Sequence, residues 1–266
     1  MTTKLLSEVQ KEDIIKGQGV MSGIDALDKI TSGFHNSNLV VLAGRPAMGC
    51  RSFALTCAYN QACAGKKVAF FSDTLTESEI LDRLQVIHTI LGNGKNEHSF
   101  KNQIFINCAP QFEINELRYE IARLKLIENI DIVYIDNLLD INNIGTGSYN
   151  MATASACGEK LRQLSRDMDI PIVALSSLTR SCESPQREGH YPNMYDLRFG
   201  NVLNYYADTV LLIYRPDYYG IKVDDDGNSL VGVAELLIEK SAVSRFDSVT
   251  VRFEHDGPAF CDKNDC

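Results

Sequence analysis

The chain has 266 residues, with 26 Lys and Arg against 35 Asp and Glu and a formal net charge of −9 at pH 7. Hydrophobic residues make up 44% of it and charged residues 23%, which excludes a disordered or collagen-like chain and allows a sizeable core. The acidic balance argues against a protein that coats nucleic acid non-specifically, because phosphate neutralisation needs clustered Lys and Arg. It does not exclude DNA that passes through a local basic channel.

The sequence contains no apolar run of about 18 residues, and its first residues lack the apolar core of a signal peptide. We therefore expect no membrane segment and a cytoplasmic location. The 8 cysteines form no C-x-x-C pair, which is typical of reduced thiols rather than of a disulfide framework. Cys261 and Cys266 have no neighbouring His, which disfavours a zinc site at the C-terminus.

Strands and helices alternate along the chain after a polar, weakly helical arm at residues 1–18. In chain order, we predict a short helix at 21–30, a buried strand at 38–43, a helix at 52–64, a strand at 67–72, a helix at 77–91, a short strand at 103–107, a helix at 114–128, a strand at 131–135 that ends on Asp136, a helix at 154–168, a strand at 170–176 and later strands at 209–214, 233–239 and 248–253. This order predicts an α/β fold, in one domain at 19–266, with a mostly parallel sheet flanked by helices. The loop-rich stretches 142–151, 181–193 and 217–230 are expected to leave that core.

The segment after the first strand has the setting of a phosphate-binding loop. Its order is strand, GRPAMGCRS and helix, against the pattern G-x-x-x-x-G-K-[ST]. The predicted nucleotide-binding residues here are Gly44, Arg45, Pro46, Ala47, Met48, Gly49, Cys50, Arg51 and Ser52. Cys50 replaces the Lys and Arg51 replaces the hydroxyl residue that binds Mg²⁺, so the loop is either a weakened nucleotide site or only a tight turn. We favour an inert cysteine at position 50, although a helix N-terminus beside Arg51 would lower the pKa of its thiol.

Several segments in order resemble the C-terminal, RecA-like motor domain of the DnaB family of replicative DNA helicases, over roughly residues 19–253. These segments are GIDALDKITSGF, GRPAMG, ALSSLTRS at 174–181, PNMYDLRFGN at 192–201 and ADTVLLIYRPDYY at 207–219. The resemblance implies a RecA-like P-loop NTPase fold that hydrolyses ATP with Mg²⁺ between the subunits of a hexameric ring on single-stranded DNA. The family's N-terminal helical collar, which binds primase, has no counterpart in the sequence, and the arm at 1–18 resembles a remnant of the linker helix.

The resemblance also implies the role of each catalytic position. Asp136 matches the Walker B aspartate, which holds Mg²⁺ through water. Thr74 stands where the family has its catalytic Glu, and a threonine cannot accept a proton from the attacking water. Asp73 is adjacent, but neighbouring residues at a strand end point in opposite directions.

Further positions of the family's site are also altered. Leu139 and Ser177 replace two Gln that sense the γ-phosphate, and Ala242 stands at the arginine finger, a group worth 10³–10⁵ in rate. Lys240 is retained, and Arg215 of the last matching segment completes the predicted nucleotide-binding set. Because nearly every catalytic part is replaced while the core strands are intact, the sequence predicts a RecA-fold pseudo-ATPase for which ATP and Mg²⁺ binding is doubtful.

Contact with DNA has little support from charge. Arg198 and Gly200 match the DNA-contacting segment of the family, whereas Phe199 replaces an acidic residue. Phe199 either stacks on a base or anchors a buried loop. The loop at 142–151 contains no Lys or Arg, so we expect weak binding of single-stranded DNA at best.

Three functions stay open at this point. The first is a non-catalytic module that binds a helicase ring, as one of its subunits, or another replication protein. The second is an active ATP-dependent 5′–3′ DNA helicase motor with atypical motifs. The third is a nucleotide-binding regulator of RecA or KaiC type. The replacements at Cys50, Arg51, Thr74 and Ala242 favour the first over the second.

Overall fold

The computed structural model describes residues 19–92, 97–110, 112–138, 151–241, 247–255 and 257–263. Within these residues the strands form a 9-stranded sheet of order β3-β2-β4-β5-β1-β6-β7-β8-β9. The strands are β1 Leu39–Gly44, β2 Val68–Ser72, β3 Ile104–Cys108, β4 Ile132–Asp136, β5 Ile172–Ser177, β6 Thr209–Tyr214, β7 Val233–Lys240, β8 Asp247–Glu254 and β9 Ala259–Asp262. The strands β1 to β6 pair in parallel, and β7 to β9 add an antiparallel edge. The predicted α/β fold with a mostly parallel sheet is confirmed.

Helices cover both faces of the sheet. They are α1 Asp25–Thr31, α2 Cys50–Cys63, α3 Glu77–Leu91, α4 His98–Lys101, α5 Ile114–Glu128, α6 Met151–Asp167 and α7 Gly200–Tyr206. Val40 and Leu42 of β1 belong to the hydrophobic cluster under α1 to α4, whereas Leu39 and Val41 belong to the cluster under α5 to α7. Successive side chains of a strand point to opposite faces, and burial of both faces explains why the strands are continuous apolar runs.

Most predicted elements are present, and the bounds predicted for α3, α5 and β6 agree with the structure. Three elements were missed, namely α4, α7 and β9. The four residues of β9 pair with β8, and the strand ends at Asp262. The Asp262 carboxylate accepts hydrogen bonds from the backbone N–H groups of Asp25 (2.7 Å) and Ala26 (2.9 Å), so it satisfies the first N–H groups of α1.

Several predictions fall on residues outside the described ranges: the arm at 1–18, the loop at 142–150, Leu139, Ala242 and Cys266. Among the described cysteines, six form no disulfide, as expected. Cys261 is disulfide-bonded, so the expectation of reduced thiols is wrong at that position. In the part of the chain that the structure describes, no helix is long and apolar enough to cross a membrane, and no group of His, Cys, Asp or Glu is arranged to hold a metal ion.

Candidate functional site

The loop between β1 and α2 lies at the carboxyl end of the parallel strands. β1 ends at Gly44 between β5 and β6, and α2 begins at Cys50. Gly49 precedes the helix with a φ of +96°, and a Cβ there would lie 2.9 Å from the ring of Phe260. Only glycine combines that backbone conformation with that approach. The strand, loop and helix order predicted for a phosphate loop is therefore present.

A cleft of about 340 Å³ opens beside this loop. Apart from Met48, which is buried, it is lined by all the loop residues from Gly44 to Ser52, and also by Asp136 and Ser177. The predicted phosphate loop and the predicted Walker B position are thus brought together. Arg83 of α3 and Ser176 of β5 also line the cleft, and neither was predicted, because no local sequence pattern marks them.

The side chain of Arg51 crosses the cleft from the first turn of α2 to the end of β4. Its Nε donates to Oδ2 of Asp136 at 2.5 Å, and its Nη2 donates to Oδ1 at 3.2 Å and to Thr74 Oγ1 at 2.6 Å. The Asp136 side chain is 3% exposed and that of Arg51 33%. The residue at the position of the family's metal ligand is therefore joined by a two-pronged ion pair to the Walker B position.

The remaining contacts of Asp136 come from two hydroxyl groups. Ser72 Oγ and Thr74 Oγ1 each donate to Oδ2 at 3.2 Å. With Arg51, these groups place three donors on Oδ2 and one on Oδ1, although a carboxylate has about four acceptor sites in all. A Mg²⁺ ion needs oxygen ligands in near-octahedral geometry, and no guanidinium among them. In this arrangement the residues do not fit a Mg²⁺ ion.

Cys50 stands at the position of the missing lysine and packs against the start of the loop. A Cβ at Gly44 would lie 2.6 Å from the Cys50 Sγ, so the thiol is close to the main chain. Burial raises the pKa of Cys50 to about 12, with a further contribution from the Asp136 charge, and outweighs the opposing effect of Arg51. The lowered pKa considered for this thiol is therefore wrong, and Cys50, the inert cysteine that we favoured, supplies a neutral group where a P-loop has a positive charge.

Two arginines predicted to bind nucleotide hold the loop in place. Arg45 donates from Nε and Nη2 to the two carboxylate oxygens of Glu183, both at 2.9 Å. Arg215 donates from Nη1 to the carbonyl of Ala47 at 3.2 Å, and its guanidinium carbon lies 3.9 Å from the ring centre of Phe253. Contact of either arginine with a nucleotide stays a prediction.

Lys240 is bonded within its own chain. Its Nζ donates to the carbonyl oxygens of Asn204 and Ala207, both at 2.6 Å, and burial lowers its pKa. These carbonyls belong to the end of α7, where a lysine satisfies groups that lack helical partners. A role for Lys240 at a neighbouring subunit stays a prediction.

The segment predicted to contact DNA leads into α7. Arg198 is exposed, and its guanidinium carbon lies 5.6 Å from the ring centre of Phe199. Phe199 has a φ of +57° and packs against the hydrophobic cluster beneath α7, which corresponds to the loop anchor left open above. Gly200 is buried, and a Cβ there would lie 3.0 Å from the carbonyl oxygen of Met194. DNA contact by this segment stays a prediction.

Comparison with known proteins identifies relatives along the described domain. The family model of the DnaB-like helicase C terminal domain matches residues 19–262. The chain is 31% identical over 230 residues to the replicative DNA helicase DnaB of Rickettsia bellii, covering 76% of the chain and 46% of that relative. It is 29% identical over 255 residues to DnaB of Geobacillus stearothermophilus, covering 88% and 54%. The chain thus spans about half the length of the curated relatives it matches.

Solved structures give the same result. A DnaB-like replicative helicase, studied with its interactions with primase, aligns with a TM-score of 0.79 and 25% identity over 94% of this chain and 66% of that one. A second solved structure, an ATPase domain, aligns with a TM-score of 0.78 and 25% identity over 94% of each chain. A KaiC-like protein of Pyrococcus horikoshii, at 16% identity and a TM-score of 0.64, shares the fold alone. The RecA-like fold is confirmed. The chain belongs to the DnaB-like helicase C-terminal domain family, whose members are domains of replicative DNA helicases and are tied to DNA replication.

Proposed function

We propose that the protein acts in DNA replication without hydrolysing ATP, by binding a helicase ring or another replication protein. The observation that carries this proposal is the bridge from Arg51 to Asp136 and Thr74. The bridge joins three positions that a working site of this family uses for the metal and for the attacking water. Arg51 takes the place of a metal ligand and is bonded to the carboxylate that would hold the metal's water.

The hydroxyl of Thr74 is bonded to both partners of the ion pair. It accepts a hydrogen bond from Arg51 at 2.6 Å and donates one to Asp136 at 3.2 Å. A general base must accept a proton from water in the transition state, and an alcohol of ordinary pKa does not do so near neutral pH. The position of the family's catalytic Glu therefore supports the hydroxyl network around Asp136 instead of activating water.

The expected loss of rate is large. Loss of a general base costs about 10²–10⁴ in rate and loss of an arginine finger about 10³–10⁵. Multiplying the lower values gives about 10⁵, which corresponds to about 7 kcal/mol of activation free energy. Restoring the two altered residues of the phosphate loop leaves this deficit in place.

The charge and the exposed side chains of the chain favour a protein partner over nucleic acid. The formal charge is −9, and the described segment expected to meet DNA exposes Arg198 beside a packed Phe199. On α5, by contrast, Tyr119 is 72% exposed and Leu126 is 81% exposed. Exposed large apolar side chains on one helix are typical of protein contact surfaces, and DNA binding is driven by clustered positive charge.

ATP turnover with and without single-stranded DNA tests the proposal. We expect no turnover above background for the unmodified protein, and no rescue in the double variant Cys50→Lys, Arg51→Thr. The variant Asp136→Asn serves as the control, because it reveals how much of any residual signal comes from a contaminating ATPase. DNA-stimulated turnover by the unmodified protein that disappears in Asp136→Asn would contradict the proposal.

A further inference from the structure

We propose that the cleft beside Arg51 binds the phosphate chain of a nucleoside di- or triphosphate without a divalent cation, with the Arg51 guanidinium taking over the metal's charge. This inference rests on the proposed non-hydrolysing function and names the ligand of the same site. It separates two properties that an ATP-hydrolysing site combines, since phosphate binding is retained while the metal is not.

The first support is the charge of the cleft. Its lining contains Arg51 and Arg83 together with a single carboxylate, that of Asp136, while the third arginine, Arg45, is paired with Glu183. The described hydrogen bonds of Arg51 use Nε and Nη2. The Nη1 group of Arg51 is therefore left to donate to a ligand, and the side chain lines the cleft. Guanidinium groups suit phosphate oxygens because they present paired donors in a plane.

The second support is the start of α2. This helix has 14 residues, its N-cap Gly49 has no side chain to satisfy the first N–H groups, and its first turn contains no acidic residue. The first N–H groups of a helix lack intrahelical acceptors, and together with the helix dipole they favour an anion. The cleft opens directly at Gly49, Cys50 and Arg51.

The third support is independent of the helix. Ser176 at the end of β5 is 8% exposed and lines the same cleft. Its Oγ has no hydrogen-bond partner among the described residues. A buried hydroxyl without a partner costs free energy, and a ligand oxygen in the cleft would accept its hydrogen bond. An acceptor-rich phosphate chain satisfies this donor, the guanidinium N–H groups and the helix N–H groups together.

Metal independence follows from the ion pair. In a metal-dependent site the cation bridges the carboxylate region and the phosphates, and the affinity for nucleotide falls when a chelator removes it. Here Asp136 is already neutralised by Arg51 at 2.5 Å, so a cation would have to displace a two-pronged ion pair. Added Mg²⁺ therefore gains nothing at this site.

Titration with a fluorescent ADP analogue, in excess Mg²⁺ and in excess EDTA, tests the inference. We expect the two dissociation constants to agree within about twofold. A loss of about tenfold or more in EDTA would overturn the inference, and so would the absence of binding in both buffers. Because ADP has no γ-phosphate to hydrolyse, neither of these failures would bear on the proposal that the protein does not hydrolyse ATP. Conversely, turnover of ATP would contradict that proposal and would not decide whether nucleotide binds without a metal ion.

Two variants locate the effect. Arg51→Thr should bind the ADP analogue about tenfold more weakly in EDTA and should regain part of that affinity in Mg²⁺, whereas unchanged affinity in EDTA would refute the role of Arg51. Arg83→Ser should weaken binding equally in both buffers, and an unchanged dissociation constant would remove Arg83 from the site. Arg123→Ala on α5 is the matched control, since Arg123 pairs with Glu120 and does not line the cleft.

Discussion

Removal of the Arg51 side chain is the perturbation that the site geometry makes most informative. In Arg51→Ala, Asp136 loses two of its four described side-chain donors and keeps the hydroxyls of Ser72 and Thr74. In the unmodified protein 3% of the Asp136 side chain is exposed, and without Arg51 this carboxylate lacks the charge that compensates its burial. We therefore expect a loss of stability rather than a neutral change.

The size of the loss follows from the burial of the two partners. Breaking a fully buried ion pair costs 3–5 kcal/mol, but Arg51 is 33% exposed and water can reach the cleft. The two hydroxyls also continue to solvate the carboxylate, which leaves a cost of about 2 kcal/mol. For a domain of this size each kcal/mol shifts Tm by about 2–4 °C, so we expect Tm to fall by about 4–8 °C.

Thermal unfolding followed by circular dichroism measures this shift, with Arg123→Ala as the control. The pair between Arg123 and Glu120 is as short, at 2.6 Å, but it lies on the exposed side of α5 with 42% and 26% of the side chains exposed. We expect little or no change in Tm for the control, because exposed ion pairs contribute little. Equal shifts in the two variants would refute the argument that burial of Asp136 makes the Arg51 contact matter.

Three further predictions concern the residues around the cleft. Cys50, with a pKa of about 12, should be alkylated by iodoacetamide about a thousandfold more slowly at pH 8 than an exposed thiol. Its alkylation rate should rise tenfold per pH unit up to that pKa, and mass spectrometry, with the unfolded protein as the reference, measures the rate. Gly49→Ala should lower the free energy of unfolding by about 2–4 kcal/mol, through backbone strain and contact with Phe260. Gly65 has a φ of +81° and no atom within 4 Å of an added Cβ, so Gly65→Ala should cost only the strain, about 1 kcal/mol, and urea titration compares the two variants. Lys240→Met should cost about 1–2 kcal/mol in the same titration because it leaves two carbonyls at the end of α7 without a donor, and an unchanged stability would contradict this role.

The sheet and its helices were predictable because local patterns specify them. The strands β1, β2, β4, β5 and β6 are continuous apolar runs, and α3 and α5 carry apolar residues at helical spacing. In α3 the capping box of Thr76 and Glu79 also fixes the first residue of the helix. By contrast, β9 has only four residues, and its pairing with β8 and the bond from Asp262 to α1 depend on contacts far apart in sequence.

The loop and the Walker B position were each found in sequence, but their interaction was not. Arg51 and Asp136 are 85 residues apart, and no sequence pattern links an arginine of the loop to a carboxylate at the end of another strand. The structure brings the two together because β1 and β4 both flank β5, so their carboxyl ends share one edge of the sheet. For Cys50, the helix N-terminus that lowers a thiol pKa is visible in sequence, whereas the desolvation against Gly44 that raises this pKa depends on packing.

Whether Arg51 excludes a metal ion from Asp136 can be measured in a crystal structure of the protein grown with ADP and Mn²⁺, with anomalous difference density recorded for manganese. We expect phosphate density at the start of α2, the bond from Arg51 to Asp136 intact, and no manganese peak between the phosphates and Asp136. A manganese peak at that place, with the Arg51 side chain displaced from Asp136, would show that Asp136 holds a metal ion and that Arg51 does not replace it.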